Sequence, residues 1–147
     1  MAAHPDYVFD SYPAFGVSKG GVLPRIGQLF RFDVANAGSY KHGIMAVGAG
    51  SSADVLAGAG VNDAGTYGIY AVRGSTINAD AADASSAGTY GIFASVGSTI
   101  NAAAADASSA GTYGIFAASG STINAYAATG SLSQTANTLT PAGIIFK

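Results

Sequence analysis

Residues 64–86 read AGTYGIYAVRGSTINADAADASS, and the next 23 residues, 87–109, read AGTYGIFASVGSTINAAAADASS. A third copy, AGTYGIFAASGSTINAYAATGSL, fills residues 110–132. Repetition at a fixed period indicates that each copy is one structural unit that cannot bury its apolar face alone, so the copies must stack into a continuous core. The repeat therefore decides the fold class before any other feature of the chain.

The internal pattern of a copy predicts short strands separated by corners. Gly74, Gly97 and Gly120 each precede Ser-Thr-Ile-Asn-Ala, and glycine allows the positive φ that a corner requires. Three strands and three corners fill about 23 residues, and successive rungs would stack at roughly 4.8 Å. We predict an all-β fold, a right-handed parallel β-helix (β-solenoid) of about four rungs. A helical array would need a longer period and apolar residues at 3.6 spacing, and the chain has neither.

The chain divides into three segments around the repeat. Residues 39–132 form the repeat region. A degenerate first copy, AGSYKHGIMAVGAGSS at residues 37–52, overlaps its start and carries Lys41 and His42 as a two-residue insertion. Residues 1–38 differ in composition and include a strand-like run at 28–34, so we interpret them as an N-terminal cap or connecting segment. Residues 133–147 are expected to close the other end with a capping strand.

Comparison of the copies predicts which side chains line the interior. Residues two apart in a strand share a face, and the interior positions should be those that never vary between copies. The invariant apolar positions are Ile69, Ile92 and Ile115; Ala71, Ala94 and Ala117; Ile77, Ile100 and Ile123; and Ala79, Ala102 and Ala125. We expect the stacked isoleucines to form the centre of a thin core.

Two ladders are expected on the outside of the stack. Tyr70, Phe93 and Phe116 alternate with the interior isoleucines, so their rings should point outward, where sister chains would cover them as a trimer interface. The three asparagines that recur at one corner are expected to hydrogen-bond along the stack as a structural ladder: Asn78, Asn101 and Asn124.

Composition excludes several functional classes. The formal net charge is −2 and no Lys/Arg cluster is present, so nucleic-acid binding is not expected. The chain has no Cys and only two histidines, His4 and His42, in different segments, and we expect no metal site and no cofactor. The N-terminus lacks the features of a signal peptide and no window has the length of a membrane span, so membrane insertion is not expected.

Aspartates are the remaining candidates for chemistry. Asp83 and Asp106 occupy the same position in successive copies, and paired carboxylates are the groups that glycoside hydrolysis uses. Both lie in the turn-like context Asp-Ala-Ser-Ser, where Asp commonly accepts backbone hydrogen bonds, and the third copy has Thr129 instead. We therefore interpret them as structural and predict no catalytic residue.

The run GIFASVGSTINAAAADASSAGTYGIFA resembles the Gly-, Ser- and Ala-rich repeats near the C-terminal ends of bacteriophage tailspikes and tail fibres, over about residues 39–132. The resemblance implies a homotrimeric structural and adhesive module of the phage tail, carried on the virion and acting outside the host cell. Its implied partners are host surface polysaccharide and other spike or tail proteins. Positions that vary between copies, Arg73, Asp80 and Tyr126, are then the glycan-binding candidates.

Two alternatives to this function remain open from the sequence. The first is a fragment of a polysaccharide-degrading tailspike, in which Asp80, Asp83 or Asp106 acts at a groove between chains; any catalytic part is otherwise expected elsewhere in a longer spike. The second is ice binding, because Thr76 and Asn78 share an outward face in each copy and resemble the flat Thr arrays of ice-binding β-solenoids.

Overall fold

The chain is built from short parallel strands wound into a coil. The computed structural model describes residues 9–26, 40–55, 57–58, 60–130, 137–139 and 143–146, and no helix occurs among them. The strands are β1 (Phe9–Ser18), β2 (Val22–Ile26), β3 (Tyr40–Val47), β4 (Ser52–Val55), β5 (Tyr67–Val72), β6 (Thr76–Asn78), β7 (Tyr90–Ser95), β8 (Thr99–Asn101), β9 (Asp106–Ala107), β10 (Tyr113–Ala117), β11 (Thr122–Asn124), β12 (Thr129–Gly130), β13 (Asn137–Leu139) and β14 (Ile144–Phe146). The run at 28–34 predicted as a strand lies outside the described residues.

These strands form three sides of a solenoid. Sheet A has the order β1-β3-β5-β7-β10-β13, and sheet B has the order β14-β11-β8-β6-β4-β2. The third side contains the pair β9 and β12 together with isolated parallel bridges from Gly60 to Asp83 and from Asp83 to Asp106. Every strand pairing is parallel, and equivalent residues of successive copies are direct partners. The predicted β-solenoid of about four turns with a repeat of about 23 residues is confirmed.

The interior is as thin as the residue pattern predicts. Ile69 and Ala71 of sheet A and Ile77 of sheet B are fully buried, and so are their counterparts in the next two copies. The third side contributes Val61 in the first turn and alanines such as Ala82 and Ala84 in the later turns. One continuous apolar cluster runs from Ile44 through the copies to Ala125, which confirms the predicted spine of stacked isoleucines.

The backbone ladder continues around the corners. Arg73 and Gly74 both have positive φ, at 61° and 75°, and the next corner falls at Ala81 with φ 52°. At these corners the amide of Gly74 donates to the carbonyl of Val96, and that of Ala81 donates to Ala103, each one turn further along. Left-handed conformation at non-glycine residues costs about 1–2 kcal/mol each, and regular stacking of the corner amides offsets that cost.

A column of buried serines follows the first corner. The Ser75 hydroxyl accepts a hydrogen bond from the Val72 amide at 2.9 Å and donates to the Ala46 carbonyl of the preceding turn at 2.8 Å. The equivalent serines of the other turns, Ser51, Ser98 and Ser121, are buried as well. Because unpaired polar groups are costly in a core, the hydroxyl satisfies backbone groups that the corner turns away from the ladder.

The degenerate first copy joins the stack with a shifted alignment. Ile44 pairs with Ile69, but His42 is the residue that faces Tyr67. His42 therefore occupies the position that tyrosine holds in the later copies. The alignment of AGSY with AGTY, which treated Lys41 and His42 as inserted and matched Tyr40 with Tyr67, was wrong on this point.

Glycine inside the first strand of each copy lets the third side approach sheet A. A Cβ on Gly91 would lie 2.7 Å from the Ala107 Cβ and 2.8 Å from the Gly114 carbonyl oxygen, which is closer than real Cβ contacts. The equivalent Gly68 meets Ala84 in the same way. A side chain at this position would push the two sides apart.

We predict that Gly91→Ala lowers the free energy of unfolding by about 2–3 kcal/mol, because the new methyl group overpacks a backbone contact. The matched control is Gly97→Ala: Gly97 has φ 69° and no neighbouring heavy atom within 4 Å of an added Cβ, so only the left-handed alanine is penalised, by about 1 kcal/mol. Urea unfolding of both variants measures the difference. Equal losses would contradict the close approach of the third side.

Candidate functional site

The outward side of sheet A carries two columns of aromatic rings, which we call the aromatic face. One column is His42, Tyr67, Tyr90 and Tyr113, and the other is Tyr70, Phe93 and Phe116, which Met45 precedes in the first turn. The rings predicted as a trimer interface make up the second column, and each is half-buried. The structure thus places Tyr70, Phe93 and Phe116 side by side on the outside of the solenoid.

Ring stacking within the chain covers much of the aromatic face. Tyr70 and Phe93 have ring centroids 5.1 Å apart at 4° between planes, and Phe93 and Phe116 are 5.2 Å apart at 13°. Tyr67 and Tyr90 stack at 5.4 Å and 3°. Between columns the rings meet edge to face, as Tyr90 and Phe93 do at 5.1 Å and 62°. The ring faces therefore point along the solenoid axis at one another, and the ring edges form the outer surface.

The tyrosine column was missed in the sequence because strict alternation puts it on the wrong face. Tyr67 and Tyr70 are three residues apart, and alternation would send them to opposite sides of the strand. In the structure Gly68 and Ile69 are both buried between the two half-buried tyrosines, so strict alternation does not hold in this strand. The recurring Thr-Tyr-Gly of each copy was the available signal.

His42 begins the tyrosine column and is buried, with 7% of its surface exposed. Its ring stacks on Tyr67 at 4.8 Å and 7°, and its Nδ1 has no hydrogen-bond partner. Burial, together with the neighbouring charge of Lys41, lowers the pKa of the imidazole to about 4. At neutral pH this ring is therefore uncharged and acts as an aromatic member of the stack. The other histidine, His4, lies outside the described residues.

Two phenol groups of the aromatic face, those of Tyr70 and Tyr90, have raised pKa values. Burial raises the pKa of Tyr70, and the charge of a nearby Tyr67 adds to the increase. Burial also raises the pKa of Tyr90, which has Tyr67 and Tyr113 as neighbours. Protonated phenols can both donate and accept hydrogen bonds, so the aromatic face offers apolar ring edges and neutral polar tips to a partner.

The outward side of sheet B carries hydroxyl and amide groups, and we call it the polar face. The Asn124 amide nitrogen donates to the Asn101 Oδ1 at 2.9 Å, and Asn101 donates to the Asn78 Oδ1 at 2.9 Å. Asn78 then donates to the Asp54 Oδ1 at 2.8 Å, so the row of donors ends on a carboxylate that can only accept. Thr76 and Thr99 are aligned beside this row as direct partners. The amides are thus engaged along the stack.

The aspartates of the third side hold local turns. Asp83 Oδ1 accepts the Ser85 amide at 3.0 Å and the Ser85 hydroxyl at 2.6 Å. Asp106 Oδ1 accepts the Ser108 amide at 2.9 Å and the Thr129 hydroxyl at 2.8 Å. Burial alone would raise the pKa of Asp106, but the hydrogen bonds from Ser108 and Thr129 outweigh it and lower that pKa.

The three glycan-binding candidates lie at corners. Arg73 occupies the corner between sheets A and B, whereas Asp80 and Tyr126 hold equivalent positions after the strands of sheet B, two copies apart. All three are exposed, and 69% of Tyr126 is accessible to solvent. The structure therefore does not gather them into one cluster.

Over the part of the chain that the structure describes, no three His, Cys, Asp or Glu side chains converge in a metal-binding arrangement. The same described ranges contain no helix long and apolar enough to cross a membrane.

Comparison of the chain with known protein families, with curated proteins and with solved structures gave no match.

We predict that stability depends on pH through His42. The imidazole pKa is lowered from 6.5 to about 4 in the folded chain, so between these values only the unfolded chain takes up the proton, and the free energy of unfolding falls as the pH falls. The expected loss is about 1–2 kcal/mol between pH 7 and 5. His42→Tyr, which continues the column with the residue of the later copies, should flatten this slope. Urea unfolding at several pH values tests it, and an unchanged slope in the variant would contradict the assignment.

Proposed function

We propose that this chain is a structural and adhesive β-solenoid module of the kind that ends phage tailspikes and tail fibres. Three copies associate side by side through the aromatic face, and exposed corner residues contact host surface glycan. The module acts on the virion, outside the host cell, together with other spike or tail proteins. The observation that carries this proposal is the aromatic face: two adjacent columns of rings on the outside of one sheet.

The contrast between the two sheets supports lateral association through sheet A. The outer side of sheet A presents half-buried aromatic rings, whereas the outer side of sheet B presents threonine and asparagine. Contiguous apolar surface on a soluble protein commonly marks an interaction site. Aromatic residues are also enriched at the centres of subunit interfaces. An interior of a few isoleucines and many alanines buries little apolar area per turn, so covering the rings would add burial that the single coil lacks.

The geometry of the rings favours the corners over the aromatic face as the glycan contact. Sugars stack on the faces of aromatic rings, but in the aromatic face successive rings cover each other's faces. Tyr126 stands alone at an exposed corner with no ring partner among the described residues, and Arg73 and Asp80 offer charged hydrogen-bonding groups. Amphipathic aromatic and charged side chains of this kind suit polar ligands.

The alternative of a polysaccharide-degrading enzyme receives less support. A general acid needs a raised pKa at neutral pH, whereas hydrogen bonds lower the pKa of Asp106. The same Oδ1 atom that would act is occupied by the Ser108 amide and the Thr129 hydroxyl. We therefore propose a binding role without catalysis.

The ice-binding alternative is also less favoured. The side-chain amides of the asparagines beside the threonines are hydrogen-bonded to one another along the stack.

We predict a solution mass of about three times the 14.4 kDa chain, measured by light scattering. Phe116→Lys places a charge in the aromatic face and should reduce the mass to that of one chain. Thr122→Lys puts the same charge on sheet B in the same turn and should leave the trimer intact. Circular dichroism checks that both variants keep β structure. A folded parent with the mass of a single chain would overturn the trimer.

We predict that glycan binding depends on the corners. Arg73→Ser and Asp80→Ala introduce residues that other copies already have at the same positions, Ser119 and Ala103, so the fold should tolerate them. With Tyr126→Ala, the triple variant should lose at least tenfold in affinity for host surface polysaccharide at unchanged mass, a difference of about 1.4 kcal/mol. Thr99→Ala on the polar face is the control. Equal binding by parent and triple variant would exclude these corners.

A further inference from the structure

The corner between sheets A and B forms one column along the outside of the solenoid, which we call the corner column. The strand pairings of sheet A align the first residue of this corner in successive turns. Each of these residues has a left-handed backbone conformation, with φ between 51° and 96°. The four members with side chains are exposed, and the column lies outside the aromatic face. The members are Lys19, Gly48, Arg73, Val96 and Ser119.

Val96 is the member of the corner column that the fold does not account for. It has φ 54°, a conformation in which a β-branched side chain is strained. Burial does not offset this strain, because 51% of Val96 is exposed and the residue is not part of the apolar core. Other copies have Arg73 and Ser119 at the same position, so the backbone of the corner does not require valine. A strained residue that the fold does not require is a candidate for function.

Positive charge lies on one side of Val96. Arg73 precedes it by one turn, about 4.8 Å along the solenoid axis, and the amide that follows Arg73 donates to the Val96 carbonyl at 2.9 Å. Arg73 is the only Lys or Arg in residues 42–146. Lys19 lies two turns before Arg73 in the same column, with Gly48 between them, and no member of the column is acidic. The corner column therefore combines cations with one apolar side chain.

The surface on the other side of Val96 is bare. A Cβ added to Gly97 or to Gly120 would have no heavy atom within 4 Å, and both glycines are exposed. The next member of the column, Ser119, has a short side chain. A ligand can therefore approach the backbone closely beside Val96 while a charged group of the same ligand reaches Arg73.

We propose that Arg73 and Val96 together bind an acidic sugar that carries an acetyl group, and that this is the class of glycan the module recognises. Arg73 pairs with the carboxylate, because a guanidinium directs parallel N–H donors at the two carboxylate oxygens. Val96 contacts the methyl group of the acetyl substituent, and the glycine surface leaves room for the sugar ring. This site rests on the proposed adhesive function and adds to it one residue, Val96, and the chemical class of the ligand.

The test starts with binding of the full chain to an array of bacterial capsule and lipopolysaccharide glycans. The glycans that bind should carry both carboxylates and acetyl groups. For one of them, reduction of the carboxylates to alcohols and removal of the acetyl groups should each weaken binding by about tenfold or more. Preference for neutral glycans, or binding that survives either treatment, would overturn this site and leave the adhesive function standing. Binding to no glycan would overturn both.

Two variants of the chain separate the two contacts. Val96→Ser and Arg73→Ser each introduce the residue that the third copy has at this position. Each should lower the affinity for the acidic, acetylated polysaccharide by about tenfold. The loss in Arg73→Ser should shrink as salt is added, because salt screens exposed charges, whereas the loss in Val96→Ser should not. Ser109→Ala, at another exposed residue with left-handed conformation, is the control and should bind as the parent does.

Val96→Ser also separates binding from folding. Serine is less strained than valine in the left-handed conformation, so the urea midpoint of this variant should rise while its affinity falls. A more stable variant that binds less tightly cannot owe its loss of affinity to misfolding. A lower urea midpoint together with weaker binding would assign Val96 to the fold and overturn its role in binding. The solution mass of both variants should equal that of the parent, which keeps this site separate from the trimer contact.

Discussion

Each turn of this solenoid must match the turns above and below it residue by residue, because parallel ladders connect them along the sheets and around the corners. A side chain in one turn therefore has its equivalent as its nearest neighbour, at a spacing of about 4.8 Å. Only groups that pack well against copies of themselves suit such columns. Isoleucine packs against isoleucine inside the coil. The side-chain amide of each asparagine donates to the side-chain oxygen of the next asparagine, and the aromatic rings stack at 5.1 Å.

The same constraint explains why the interior is small and the exterior is rich in large residues. Two sheets contribute isoleucine, but the third side approaches sheet A so closely that only glycine fits at Gly68 and Gly91, opposite alanines. Such a core holds little apolar volume per turn. The aromatic face adds ring contacts outside the coil, and aromatic pairs of this kind contribute about 0.5–1.5 kcal/mol each beyond their buried area. Stability is therefore distributed over both surfaces of sheet A.

Much of this architecture could be predicted from the sequence, because residues 64–132 consist of three nearly identical copies of 23 residues. The isoleucine spine and the glycine corners followed from comparing copies, since a stacked fold makes equivalent positions neighbours. The tyrosine column could not be predicted by alternation, because two successive residues, Gly68 and Ile69, are buried between the two tyrosines. His42 was not recognised as the tyrosine equivalent, since letter matching favoured Tyr40 over the register that the ladder imposes. The left-handed alanines at the corners carry no sequence signal, because alanine does not ordinarily favour that conformation.

The aromatic face and the polar face differ in what they leave for a partner. On the polar face the asparagine amides are already hydrogen-bonded along the stack. On the aromatic face the rings stack on one another, so that ring edges and phenol groups form the outer surface. The proposed lateral contact would cover these edges along all the turns, because the rings recur at the same two positions of each copy. The exposed corners lie outside sheet A and would stay accessible to a ligand in such an assembly.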